Sequence, residues 1–229
     1  DNTTGAGNTS LGFATLANNT TANDNVAIGK EALFTNITGA NNTAVGKDAM
    51  FHNTASDITA VGKGALQANT TGANAVAVGY HALKLNTTGN QNTAVGHSAL
   101  DANTGGYNNT ALGYASSGAN VDTGHNNTSV GAYTLMANTT GRWITAIGVA
   151  SMQTAESGDG SVGVGYQTLN VHTGDYNTAM GYRAMALTTT GANNVAVGKN
   201  ALEANTTGTR NLGIGTNAYK GSDTETDNI

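Results

Sequence analysis

The amino-acid sequence predicts an all-β protein, a parallel β-solenoid or β-roll of about 13 coils, and three observations predict it. A short phrase, typified by Asn41-Asn42-Thr43-Ala44-Val45-Gly46, returns from one end of the chain to the other. Its closing glycine falls at Gly12, Gly29, Gly46, Gly62, Gly79, Gly96, Gly113, Gly131, Gly148, Gly165, Gly181, Gly198 and Gly215, a spacing of 17 residues broken only by 16 twice and 18 once. Within the phrase, apolar and small residues alternate with the period of two that marks a strand. In a fixed phase after it comes turn chemistry, Asn69-Thr70-Thr71-Gly72 and its copies at Asn86, Asn138 and Asn205. One unit repeated with almost no drift is the signature of a stack in which each coil touches its two neighbours.

Numbering each coil from its closing glycine, position −4 is Asn in Asn8, Asn25, Asn42, Asn92, Asn109, Asn127, Asn177, Asn194 and Asn211. Stacked in register, these amides would bond along the array as a ladder. Position −3 is Thr or Val in nearly every copy, −2 is only Ala, Ser or Gly, and −1 is an unbroken aliphatic column from Leu11 to Ile214. The expectation is a short strand with the aliphatic −1 and −3 columns pointing into the coil and a small-residue face outside. After a corner at the glycine, Ala32-Leu33, Ala49-Met50 and Ala65-Leu66 at +3 and +4 predict a second short strand returning along the other wall. A helix over Lys30-Glu31-Ala32-Leu33-Phe34 is excluded, because a glycine in every coil leaves too little length for one. Parallel strands rise roughly 4.8 Å per coil, giving a rod on the order of 60 Å. Residues 1–221 form the repeat domain, with 222–229 as a tail or the start of a following segment.

Composition narrows the functions. Charged residues are 10%, so the chain is unlike an ordinary disordered segment, and the strict phase is unlike a flexible linker. A net charge of −5 without a basic stripe excludes extended phosphate neutralisation, hence nucleic acid as a partner. With no cysteine there is neither a disulfide framework nor a thiolate metal site, and no apolar run reaches the roughly 20 residues of a membrane helix. The chain opens mid-repeat at Asp1 without a methionine or signal sequence, as a processed piece or an excised fragment would. Each coil offers few large apolar side chains against the backbone entropy of all its residues. Flat small-residue faces buried against copies of the same chain would supply the missing area, which predicts a symmetric homo-oligomer.

The phrases Asn25-Val26-Ala27-Ile28-Gly29, Ala75-Val76-Ala77-Val78-Gly79 and Asn194-Val195-Ala196-Val197-Gly198 resemble the head repeats of trimeric autotransporter adhesins. The longer unit, ending in Asn-Thr-Thr-Gly, is also similar to arrays in phage tail-fibre and tailspike proteins. The resemblance implies a left-handed parallel β-roll of three chains side by side, an extracellular location on a bacterial cell surface or a virion appendage, and a host-surface glycan or protein receptor as partner. The coil here is longer than the usual adhesin repeat, the excess lying in the Asn-Thr-Thr-Gly turn.

No catalytic constellation emerges, since no two carboxylates share a phase and no nucleophile lies beside a base; no cofactor or metal is expected, and the chain is not read as an enzyme. Gly158-Asp159-Gly160-Ser161-Val162-Gly163 matches the dinucleotide fingerprint in letters but sits across a repeat strand rather than before a helix. His52, His81, His97, His125 and His172 occupy different phases and read as solvated surface residues. Asp24, Asp57, Asp101, Asp122, Asp159 and Asp175 lie at turns without the ligand spacing of a calcium loop. The Asn-x-Thr triplets are explained by turn geometry before glycosylation. Position +1 carries an outward row of basic and aromatic side chains, Lys30, Lys47, Lys63, Tyr80, His97, Tyr114, Tyr166, Tyr182 and Lys199. Tyr80, His97, Tyr114, Tyr166 and Tyr182, with Trp143 in a turn, are the candidate surface contacts, suited to stacking on sugars or meeting a receptor. The rival reading is an ice-binding solenoid, from the threonines Thr43, Thr59, Thr93, Thr110, Thr128 and Thr145 at one phase; Val26, Val76, Val162 and Val195 at that phase weigh against it.

Overall fold

The structure is a computed structural model that describes residues 3–118, 124–221 and 223–228. Among the described residues, thirteen three-residue strands lie at positions −3 to −1 of successive coils. Seven belong to one compact unit: β1 (Thr9–Leu11), β2 (Val26–Ile28), β3 (Thr43–Val45), β4 (Thr59–Val61), β5 (Val76–Val78), β6 (Thr93–Val95) and β7 (Thr110–Leu112). Six belong to the other: β8 (Thr128–Val130), β9 (Thr145–Ile147), β10 (Val162–Val164), β11 (Thr178–Met180), β12 (Val195–Val197) and β13 (Leu212–Ile214). Within each unit every strand pairs in parallel with the next at the same repeat position, as in Thr43↔Thr59, Ala44↔Ala60 and Val45↔Val61. Both units are parallel β-solenoids, and no helix occurs among the described residues.

The facing of the strands is the reverse of the expectation. The −2 alanines Ala27, Ala44, Ala60, Ala77, Ala94, Ala146, Ala179 and Ala196 are fully buried. The −3 and −1 columns point outward, with Leu112 and Met180 each 47% exposed. The reason is the width of the lumen. Most coils bring one long side chain inward at +4, among them Leu33, Met50, Leu66, Leu83, Leu135, Met152, Leu169 and Leu202, all fully buried; the seventh coil has the small Ser117 there and the thirteenth the exposed Tyr219. At Gly213, which holds the −2 place in the thirteenth coil, an added Cβ would already lie 3.0 Å from Leu202 Cγ. A methyl fills what the leucine leaves, and a branched −1 or −3 side chain has no room inside.

Among the described residues the second strand expected after the glycine does not form. The wall is built instead from consecutive turns, closed in the second coil by Ala32 N donating to Gly29 O at 3.2 Å and Asn36 N to Leu33 O at 3.3 Å. Ala32 at +3 and Leu33 at +4 are both buried, whereas an extended chain sends neighbours to opposite faces. Left-handed backbone at +2 and +4, φ 60° at Glu31 and 51° at Leu33, places two successive side chains inward. The turns are still knit from coil to coil, for example by Leu33 N donating to Ala49 O at 3.0 Å. The closing glycine is required twice over: Gly29 has φ 117°, and a Cβ there would meet the Gly46 carbonyl carbon of the next coil at 2.7 Å.

The asparagine ladder at −4 is present and buried. Asn42 N donates to Asn25 Oδ1 at 2.9 Å, while Asn42 Nδ2 donates to Ala55 O at 2.8 Å. A second amide ladder runs at +7, inside the turn, with Asn86 Nδ2 on Asn69 Oδ1 at 2.8 Å and on Gly89 O at 3.0 Å. The two 16-residue coils lose their residue in the turn after +7, so Asn53 Nδ2 reaches Ala55 O two residues on, where Asn69 Nδ2 reaches Gly72 O three residues on. The segment Asp223–Asn228 continues the bonding pattern, with Leu212 N donating to Asn228 O at 2.8 Å and Asn228 N to Asn211 Oδ1 at 3.1 Å.

Candidate interaction surface

Two outward rows run along each unit. The first is the strand face. Because β-strands alternate, inward alanine at −2 forces Thr or Val at −3 and Val, Ile, Leu or Met at −1 to the outside in coil after coil. Val76 (38% exposed), Leu112, Ile147, Met180 and Val195 are the most open members away from the ends. The −3 threonines Thr43, Thr59, Thr93, Thr110, Thr128 and Thr145 lie in this same outward row. The inward placement held against their contact with water does not apply to them. The turn threonines at +8 are committed elsewhere: Thr70 Oγ1 donates to Thr87 O at 2.9 Å and Thr87 Oγ1 to Thr104 O at 3.0 Å.

The second row is position +1. In the first unit Lys63 Nζ lies 5.4 Å from the Tyr80 ring centroid, Tyr80 stacks on His97 at 4.9 Å, and His97 stacks on Tyr114 at 5.2 Å. In the second unit Tyr166 stacks on Tyr182 at 5.3 Å, with Lys199 Nζ 5.9 Å from the Tyr182 centroid. Equivalent positions in parallel coils repeat at the spacing of stacked rings, which is why one side chain per coil suffices. All five residues are exposed. The rings meet face to face along the row, so the faces of His97 are both occupied and the open parts are ring edges, hydroxyls and imidazole nitrogens. Trp143 stands apart, in the turn at −5. It is 52% exposed, with the Arg142 guanidinium 4.8 Å from its ring and His125 edge-on at 6.1 Å. Arg142 in turn donates to Asp159 Oδ2 through Nη2 at 2.7 Å and through its backbone N to Oδ1 at 2.8 Å. Burial raises the Asp159 carboxyl, but Arg142 outweighs it and leaves the pKa below the ordinary carboxylate range.

The histidines divide. His97 is exposed and His52, in the turn wall, is exposed beside Phe51. His172, expected at the surface, is fully buried at +7, in the place of a ladder asparagine. Burial alone pushes its pKa down to about 4, and neither ring nitrogen has a hydrogen-bond partner. Room for the ring comes from Gly158 in the preceding coil, where a Cβ would lie 2.6 Å from His172 Nε2. Its position in the Asn column was the signal that it faces inward.

Of the aspartates, Asp57 accepts from Asn41 Nδ2 at 3.0 Å, and burial raises Asp101 against the opposing hydrogen bond of Ser98. Asp122 lies outside the described residues. No group of three or more potential metal ligands forms among the described residues. In the letters of the dinucleotide fingerprint, Val162–Val164 is strand β10 and Gly163 packs against Ser151 and Thr168, with no helix following. The triplet asparagines at +7, such as Asn69 and Asn86, are buried in the ladder, out of reach of glycosylation in the folded chain. No family model, curated protein or solved structure matches this chain.

Proposed function

We propose that this chain is a structural and adhesive segment of an extracellular fibre, assembled as a homotrimer through its strand face and displaying the +1 row to a host-surface glycan or protein receptor. The observation that carries the reading is the outward aliphatic row. Most coils keep one large apolar side chain inside and turn one or two out, at the same pair of positions in each, so the face is self-complementary over many rungs. Half-exposed Val, Ile and Leu in a continuous strip mark an interaction surface, and a strip that repeats with the coil is best matched by another copy of the same repeat. The resemblance to adhesin heads and phage fibres supports three copies and an extracellular place, and the reading assigns no chemistry to the chain.

The test is the mass in solution. A particle of three times 22.9 kDa is expected, converting to single chains when Val61 and Val78 are both replaced by lysine, with the β-solenoid circular dichroism retained; a wild-type single chain overturns the reading. A second reading, an ice-binding solenoid, draws on the outward threonines at −3. It requires a monomer with thermal hysteresis that falls when Thr59 and Thr93 are replaced by valine.

A further inference from the structure

The repeat allows like positions to be compared, and along the first unit the charges at +1 and +2 change character. In the second and third coils each +1 lysine is neutralised by the acid beside it, Lys30 by Glu31 and Lys47 by Asp48, both at 3.6 Å. In the fourth coil the +2 residue is Gly64, so Lys63 has no adjacent acid. In the fifth it is His81, whose ring lies over Gly64, where a Cβ would sit 2.7 Å from His81 Cδ2. His81 also packs on Tyr80 at 3.8 Å, and Lys84 N closes the turn onto His81 O at 3.3 Å. Lys63, His81, Lys84 and His97 therefore converge on a few coils of a chain whose net charge is −5. The imidazole of His81 is held below 6.5 by burial first and then by Lys84, Lys63 and His97 in turn. A carboxyl, Asp101, faces this group near Lys84, already bonded by Ser98 and raised by burial.

We infer that Lys63, His81, Lys84 and His97, edged by the hydroxyls of Tyr80 and Tyr114, form a binding site for an acidic saccharide bearing carboxylate or sulfate groups. The positive groups outnumber that carboxyl and repel one another, and an anion between them removes the repulsion. The ring edges supply hydrogen-bonding groups for sugar hydroxyls. Single-stranded nucleic acid needs open aromatic faces on which to stack, and here both faces of His97 and one face each of Tyr80 and Tyr114 are taken by neighbouring rings. The site deepens the proposed function, resting on it for the source of the ligand.

The experiment is calorimetric titration of the full chain with a sulfated heparin-derived oligosaccharide, a neutral oligosaccharide and a single-stranded oligonucleotide, the assembly mass being measured on the same sample. Protonation of His81 should make sulfated saccharide binding several-fold tighter at about pH 5 than at about pH 8. Replacing Lys63 and Lys84 together by alanine should weaken it by about tenfold or more, while Lys30→Ala, in a neutralised coil, leaves it unchanged. Affinity equal in wild type and the double variant overturns the site, as does preference for the oligonucleotide. A wrong assembly mass with the saccharide result intact would instead count against the fibre reading alone.

Discussion

The +7 column is one position of one repeat, yet it is built differently in the two units. In the first it reads Asn19, Asn36, Asn53, Asn69, Asn86, Asn103, all buried, with side chains bonded in series at 2.7 Å, 2.8 Å and 2.6 Å from Asn53 to Asn103. The break in the series falls at the short coil, where Asn36 Oδ1 is left without a partner, and Asn103 Oδ1 at the far end of the series has none either. In the second unit the column reads Asn138, Ala155, His172, Thr188, Asn205, and the His172 nitrogens, Thr188 Oγ1 and Asn205 Oδ1 are all without partners. There the −4 column holds the register, through Asn194 N and Nδ2 on Asn177 Oδ1 and Asn211 N on Asn194 Oδ1. The difference teaches that one amide ladder per coil is enough for the stack, and that the second can decay into a site of unmet hydrogen bonding.

Breaking the intact column should have the largest effect. Asn86→Ala removes two donated bonds and the one Asn86 Oδ1 accepts from Asn103 Nδ2, which keeps only Gly106 O at 3.1 Å; each buried loss costs about 1–3 kcal/mol, so unfolding in urea should show a deficit of about 4 kcal/mol. Acid should act next, and on the second unit. With its folded pKa about 4 against 6.5, His172 binds its proton more readily unfolded. Its contribution is complete above pH 6.5 and is lost as pH falls toward 4, about 3 kcal/mol in all. Hydrogen exchange resolved by residue should show protection around His172 falling over that window, and His172→Asn should flatten the profile. The smallest effect is repair: Thr188→Asn gives Asn205 Nδ2 an acceptor and should stabilise the second unit by about 1 kcal/mol, read as a shift in its urea midpoint.

The coil spacing, the strand position and the −4 ladder were legible in the sequence because each depends on a column that must stay in register. The facing of the strand is not legible from hydrophobicity, which points the aliphatic columns inward. Size was the better guide. The −2 column admits nothing larger than alanine or serine, while −1 wanders through Leu, Ile, Val and Met, as an outer face can. The second wall was misread for a related reason. Ala32 and Leu33 are neighbours that both face inward, which requires left-handed residues such as Glu31 that no glycine announces. The +1 row was visible as a column, but its use of ring faces depends on the coil-to-coil spacing. His172 was hidden by treating histidines as a set rather than by the column each one occupies.

The lumen that admits one long side chain per rung has an evolutionary corollary. Since each joint between rungs is nearly the same joint, a whole unit can be duplicated or excised by unequal recombination with little disturbance at the seam. The number of coils is then free to vary between generations, while the cross-section of each stays where leucine and alanine have set it.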